Sequence, residues 1–378
     1  MGAAVPTVVA LEGPVRAYDW GSRTLIAGLR GRAPSAGPEA EVWFGGHPAA
    51  PSLALLPDGP VPLDVSGLPV PRFLLKLLAA AAPLSVQLHP DRDAAAVGFA
   101  AEDAAGVPRD APARTYRDPH DKPELLRALT PMRLLVGARP VDEAVAVNDT
   151  VLGDDAVRAA LLADGLRGAA AELLTAAADV TAARLASLAA AVAVVDADGD
   201  GDPVVAAAAL ARELLDHHPG DAGVVVALLL RPVHLSPGDA VFVPAGLPHA
   251  YLSGLGVEVM RASDNVVRGG LTTKHVDVAA LVRLLDPAPR EARVAVAERD
   301  GWRRHLAPTD AFTLDETDLD GSLPLPGADG PRIVLCTHGT VRVADGDDGV
   351  DLGPGDAAYV VPGADATVTG AGTVFAAA

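Results

Sequence analysis

The run PLSVQLHP at residues 83–90 sets an amide, Gln87, and an imidazole, His89, two apart in an apolar stretch that stops at Pro90. On a strand, side chains two apart share a face and their Cα atoms lie roughly 7 Å apart. Ser85, Gln87 and His89 then line one face, and Val86 and Leu88 the other. The polar face needs partners, because a buried unpaired amide costs about 1–3 kcal/mol. Hydrogen bonds within a core would satisfy it, and so would one metal ion. Two further stretches supply donors: Glu124 in DKPELL, and His249 in PAGLPHAYL, with Tyr251 on the same face as His249 if a strand follows. Two imidazoles, a carboxylate and an amide oxygen form a workable zinc set, and iron or manganese accept the same ligand types. With neutral imidazoles the set carries one negative charge, so a bound dication stays net positive and acts as a Lewis acid.

Cations flank these donors. Lys76 stands in FLLKLL, Lys122 two residues before Glu124, and Arg268 in SDNVVRGG. A lysine among apolar neighbours either snorkels to solvent or serves a buried anion. Beside a metal, lysines and an arginine make an anion pocket, with phosphate the obvious occupant.

Elements must hold these groups. Residues 1–100 are broken by Gly and Pro and contain short strand-like runs, AEVWFGG and LSVQLH. Residues 139–221 are rich in Ala and Leu at helical spacing and read as a small helical domain. Strand signals return in GVVVALLL and DAVFVPAG. LSPGDAVFVPAG (235–246) and LGPGDAAYVVPG (352–363) echo each other as strand, tight turn and strand, which predicts two related β-barrels. The first copy runs on into LPHAY and the second into ADATV, so a metal held by the first is absent from the second. The expected layout is a metal-binding β domain over 1–138 and 222–285, a helical domain over 139–221, and a C-terminal β domain over 286–378 without ligands. DADGDGD (196–202) opens like a calcium loop, but the twelfth position is Ala207, so a solvated acidic loop is the better reading.

Composition excludes several classes. The formal net charge is −19 with no long basic run, which argues against nucleic acid and anionic membranes as partners. No apolar run reaches the roughly 18 residues of a membrane span. The N-terminal residues lack the cationic start of a signal peptide, and Pro6 stands where myristoylation wants Ser or Thr. Cys336 is the single cysteine and makes no internal disulfide. A soluble cytoplasmic protein, monomeric or weakly self-associating, is expected.

The motifs in order resemble the type I phosphomannose isomerases, zinc enzymes of the cupin superfamily. The resemblance rests on YDWGS (18–22), EVWFGGHP (41–48), FLLKLLAAAAPLSVQLHP (73–90), YRDPHDKPEL (116–125), ALTPMRLLVGARP (128–140) and the long PAGLPHAYLSGLGVEVMRASDNVVRGGLTTKHVD (244–277). It implies a mainly β fold of two cupin-like barrels, or jelly rolls, with an α insert. It implies one Zn²⁺ per chain, held by Gln87, His89, Glu124 and His249. It puts Lys76, Ser85, Lys122 and Arg268 on the substrate and phosphate side, and the acids Glu258 and Asp264 near the metal. The implied reaction interconverts mannose 6-phosphate and fructose 6-phosphate through a cis-enediol, in a mannose pathway such as GDP-mannose supply.

Two departures stand out. The family's Asn-His-Lys-Pro-Glu is His120-Asp121-Lys122-Pro123-Glu124 here, so Asp121 replaces a histidine considered for proton transfer. MRASDN replaces the commoner MANSDN. Candidates for the base are Glu258, Asp264, Asp121 and Lys122, and Arg268 would stabilise charge on the sugar oxygens. Glu258 reads equally as the partner of a nearby cation, and Asp264 is spaced to orient Arg268. His47, His217, His218 and His275 read as surface or structural. The competing readings are a sugar-phosphate-binding cupin without catalysis and a metal-dependent cupin enzyme of another reaction class.

Overall fold

The computed structural model describes residues 6–194 and 203–378, and the acidic run 196–202 with its calcium-loop reading lies outside the described residues. Two ten-stranded antiparallel sheets frame the described residues, with a helical insert beside the first, so the mainly β, two-unit expectation holds.

The first unit carries the candidate ligands. Its spine is the strand His249–Arg261. The second half of this strand runs between Phe73–Ala80 and Glu124–Ala128, and the first half pairs with Met132–Ala138. The neighbours change at Gly254, whose φ is +115° and where a Cβ would meet Met132 Cγ at 2.5 Å and Pro131 O at 2.7 Å. Glycine meets both demands, so one strand bends through two walls of the barrel. At its ligand end, Gln87 of the short strand Val86–Leu88 is registered with His249 on one side and Arg268 on the other.

The helical insert explains the facing of that short strand. Val86 and Leu88 belong to one apolar core with Val157, Leu161, Leu188 and Leu214 of the insert helices. Their burial there turns Gln87 the opposite way, as period-two alternation requires. GVVVALLL, expected as a strand, is instead the helix Gly223–Leu228, with the strand starting at Leu230. Every residue of that helix is buried, so its pattern lacks the periodicity that separates helix from strand. The Asp221 carboxylate accepts from the Gly223 N–H at 2.7 Å and starts the turn. Gly223 also lies against Gly270, where a Cβ would come within 2.4 Å of the Gly270 Cα.

The second unit orders its strands as Val296–Arg299, Trp302–His305, Leu314–Pro324, Thr367–Ala377, Arg332–Asp345, Ala357–Val360, then Val8–Glu12, Leu53–Leu56 and Gly59–Pro62. The last three come from the N-terminus, so the boundary expected at residue 286 does not describe the sheets. Val8 is registered with Val360 and Leu11 with Ala357. Val9 and Leu11 pack into a core that joins both units, alongside Leu75, Val257, Tyr359 and Phe375. Strand pairing joins segments distant in sequence, and here it carries part of the expected first domain into the second sheet. The segment near residue 292 also lies along the first unit: Phe242 donates to the Ala292 carbonyl at 2.8 Å and Val294 to the Ala240 carbonyl at 3.0 Å. No helix among the described residues is long and apolar enough to cross a membrane alone.

Candidate metal centre

His89 and His249 are fully buried and Glu124 is nearly so. They come together from a strand exit, a strand start and the head of the long strand. His89 Nδ1 lies 2.8 Å from the Asn265 carbonyl oxygen, and His249 Nδ1 lies 3.1 Å from that of Leu247. A carbonyl oxygen only accepts, so both Nδ1 atoms carry protons and both Nε2 atoms present lone pairs. Those lone pairs face a carboxylate: His89 Nε2 to Glu124 Oε1 is 3.3 Å and His249 Nε2 to Glu124 Oε2 is 3.4 Å. Acceptors aimed at acceptors repel unless a positive centre lies between them. His89 Nε2 and Glu124 Oε2 are buried without a hydrogen-bond partner.

These separations suit zinc. Corners of a tetrahedron about 2.1 Å from its centre lie about 3.4 Å apart, and the three ligand atoms lie within 4.8 Å of one another. The Gln87 amide nitrogen is 3.3 Å from His249 Nε2. Nitrogen and oxygen of an amide exchange by a half turn, which offers Oε1 to the same point. The donor set therefore fits a dication of the zinc class.

Electrostatics favour the ligating forms. Burial pushes His89 down to about 4, against the pull of Glu124, so its ring is neutral near pH 7. Burial alone would raise Glu124, but Lys122, with Nζ 3.0 Å from Oε1, and the histidines hold it well below the usual carboxylate range.

A second buried network stands behind the centre. Lys76 Nζ lies 2.9 Å from Glu258 Oε2 and 3.4 Å from Glu41 Oε1. Glu258 also accepts from the Tyr251 hydroxyl at 3.1 Å, and Glu41 from the Trp43 indole N–H at 2.8 Å. Lys76 thus does not snorkel, and Glu258 is the partner of a cation. Burial opposes the charge on Lys76, but Glu258 and Glu41 outweigh it and raise the pKa. Burial raises Glu258 in turn, against the pull of Lys76.

The other candidates divide. Arg268 is half-buried, and its guanidinium has no hydrogen-bond or ion-pair partner among the described residues. Burial and then Arg117 lower its pKa, and burial, Arg268 and Arg117 lower that of Lys274. Among the described residues, the Lys274 ammonium meets only the face of Tyr18, at 5.9 Å. Arg117, Arg268 and Lys274 form a cationic group beside the ligand strand with no counter-ion among the described residues. Ser85 is half-buried where that strand begins. Asp264 does not orient Arg268: its Oδ1 lies 3.4 Å from His47 Nε2. Residues 262–266 form no helical turn, so the spacing of four between Asp264 and Arg268 does not bring them together. His47 Nδ1 accepts from the Ala49 N–H at 3.3 Å, which leaves the proton on Nε2, toward Asp264. Asp121 is turned away from the metal ligands to Arg261, with Oδ1 2.8 Å from Arg261 Nε.

Sequence reasoning set His47 aside and missed Arg117, Lys274 and Asn265 as members of the site. Their signal in the sequence is weak, because each sits in a loop with no periodicity. Asn265 is fully buried, and its side chain ties the 117–120 loop by accepting from the Arg117 N–H at 2.7 Å and donating to the His120 carbonyl at 2.8 Å. His217 and His275 are exposed, as expected.

A buried two-histidine, one-carboxylate pocket on an antiparallel barrel, beside uncompensated cations, defines a metal-binding β protein built for an anionic small molecule. Known proteins narrow the class. Residues 65–141 match the phosphomannose isomerase type I catalytic domain. The chain is 34% identical to mannose-6-phosphate isomerase of Salmonella typhimurium, over 92% of this chain and 93% of that one. It is 30% identical to mannose-6-phosphate isomerase of Homo sapiens, over 89% of each. A crystal structure of mannose 6-phosphate isomerase bound with zinc and yttrium superposes with a TM-score of 0.87 at 32% identity, covering 98% of this chain and 99% of that one. The chain belongs to the mannose-6-phosphate isomerase family.

Proposed function

We propose that this chain is a zinc-dependent isomerase that interconverts mannose 6-phosphate and fructose 6-phosphate. The observation that carries the reading is the convergence of buried ligand atoms on His89, Glu124 and His249, of which His89 Nε2 and Glu124 Oε2 have no hydrogen-bond partner, beside three cations with no counter-ion among the described residues. Gln87 completes the ligand set. Zinc, when bound there, supplies Lewis-acid stabilisation of negative charge on the sugar oxygens.

The chain's own residues do the rest. Arg117 and Lys274 take the phosphate, with Ser85 at the edge of the same face. Arg268, registered with Gln87, stabilises charge on the C1 and C2 oxygens. A base must lift a proton from one of these carbons and return it to the other. Of the candidate carboxylates, Glu258 is sealed against Lys76, and Asp121 is held by Arg261. Asp264 is the one that is both solvent-reaching, at 45% side-chain exposure, and backed by an N–H donor, His47. We assign proton transfer to Asp264, with Lys122 protonating the sugar oxygen. Lys76 and Glu258 hold Tyr251 and the head of the long strand in place. A small sugar phosphate is the partner, and a lone buried thiol, Cys336, suits the reducing cytoplasm.

The test is a coupled assay that converts fructose 6-phosphate onward to glucose 6-phosphate. Turnover of mannose 6-phosphate, lost on chelation and restored by Zn²⁺, is expected. Metal-dependent binding without turnover would make the chain a sugar-phosphate-binding protein instead.

A further inference from the structure

Asp121, just before the Lys122-Pro123-Glu124 run, and Arg261, just before the Ser263-Asp264-Asn265 run, form an ion pair. Arg261 Nε lies 2.8 Å from Asp121 Oδ1, with side-chain exposures of 15% and 19%. Arg261 ends the strand His249–Arg261, and its backbone N–H donates to the Pro123 carbonyl at 3.3 Å. The adjacent register pair is Met260 and the ligand Glu124. The ion pair therefore closes the ladder one step beyond a metal ligand and two steps from Lys122 Nζ, which itself touches Glu124.

The pair is also tied outward. Arg261 Nη2 and Arg92 Nη2 each lie 3.0 Å from Asp310 Oδ1, which links the ladder end to the helix Arg92–Ala104 and to the loop between Trp302–His305 and Leu314–Pro324 of the second unit. Those outer contacts are exposed and weak, whereas the Asp121–Arg261 contact is mostly shielded. Asp121, Pro123 and Asp310 line a cavity of about 600 Å³ together with Phe242, Pro244 and Val294, and none of His89, Glu124, His249 or Arg268 reaches it.

We propose that Asp121 and Arg261 act together by position: the ion pair locks the strand end bearing Lys122 and Glu124, and Asp121 carries no proton for the reaction. The inference rests on the isomerase reading for its kinetic test and on geometry alone for its zinc-affinity test. Asp121→Asn, Arg261→Ala and the double variant would be compared for zinc affinity by chelator competition, melting temperature and the pH profile of zinc-saturated kcat/KM. Each single change weakens zinc binding about tenfold, in the range of lost supporting contacts. The double change costs no more than either alone, which is the signature of coupled residues. The pH profile keeps both limbs, and zinc-saturated kcat falls less than about fivefold, well short of the 10²–10⁴ of a lost acid or base.

Additive losses of zinc affinity would overturn the pairing. A zinc-saturated kcat reduced more than about 100-fold in Asp121→Asn, or a missing limb, would restore Asp121 to proton transfer. If Asp121→Asn does not fold, Arg261→Lys keeps the charge but not the Nε contact, and the same outcomes decide. A parent chain that turns over no sugar phosphate would sink the isomerase reading while leaving the affinity cycle to judge the pair.

Discussion

The two Pro-Gly-Asp-Ala hairpins are the same device put to different ends. In the first, Gly238 takes φ +101°, the Asp239 carboxylate accepts from the Ser236 N–H at 2.9 Å, and the strand Ala240–Val243 follows. In the second, Gly355 takes φ +86°, the Asp356 carboxylate accepts from the Gly353 N–H at 3.1 Å, and Ala357–Val360 follows. Each then connects to a long strand. The first of these opens with a buried histidine, His249, and the second with Thr367. Around the second hairpin the core is sealed and apolar, with Val334, Cys336, Ala358 and Val374 fully buried. The turns are alike, and the long strands that follow them differ at the head: only the first brings a buried histidine to the candidate metal group.

The largest effect should separate the two strand heads. His249→Ala is expected to remove the bound zinc and lower kcat/KM at least about 1,000-fold, while Thr367→Ala leaves zinc content and rate unchanged. Metal analysis and the coupled assay check both, and a metal-replete, active His249→Ala protein breaks the comparison. Next comes the assignment within the first barrel. Asp264→Asn should lower kcat about 100-fold with zinc content intact, measured at saturating metal; an unchanged kcat removes Asp264 from proton transfer.

Smaller effects test the shared turn. Gly238→Ala and Gly355→Ala should each destabilise by about 1–2 kcal/mol, because both glycines use a backbone region that a Cβ penalises. Gly355→Ala should cost more, since its Cβ would meet Arg30 Nε at 2.6 Å whereas Gly238 faces open space. Paired thermal melts compare them, and equal melting points for parent and variants would show the turns to be unalike in energy from what their φ angles imply. The smallest signal concerns the sealed core. Burial pushes the Cys336 thiol up to about 11, so at pH 8 the native protein should leave a thiol reagent unreacted until denaturant is added. Stoichiometric labelling of the native chain would mean that the second barrel opens.

Much of the chemistry was legible before any coordinates, because its signals are local. Gln87 and His89 are two apart on one strand, and alternation alone puts them on one face. The hairpin echo required only matched turn residues, and the Ala- and Leu-rich insert only its period. Residue types named the ligands that Glu124 and His249 would bring. Tertiary structure decided what depends on distance through space. It carried Val8–Glu12 into the sheet of a segment more than three hundred residues away, since a sheet pairs edges without regard to chain order. It made GVVVALLL a helix, because total burial erases the periodicity that distinguishes the two states. It turned Lys76 to Glu258 and Asp264 to His47, and it left Arg268 with Arg117 and Lys274, because a side chain's charge partner depends on which strands and loops the barrel brings together.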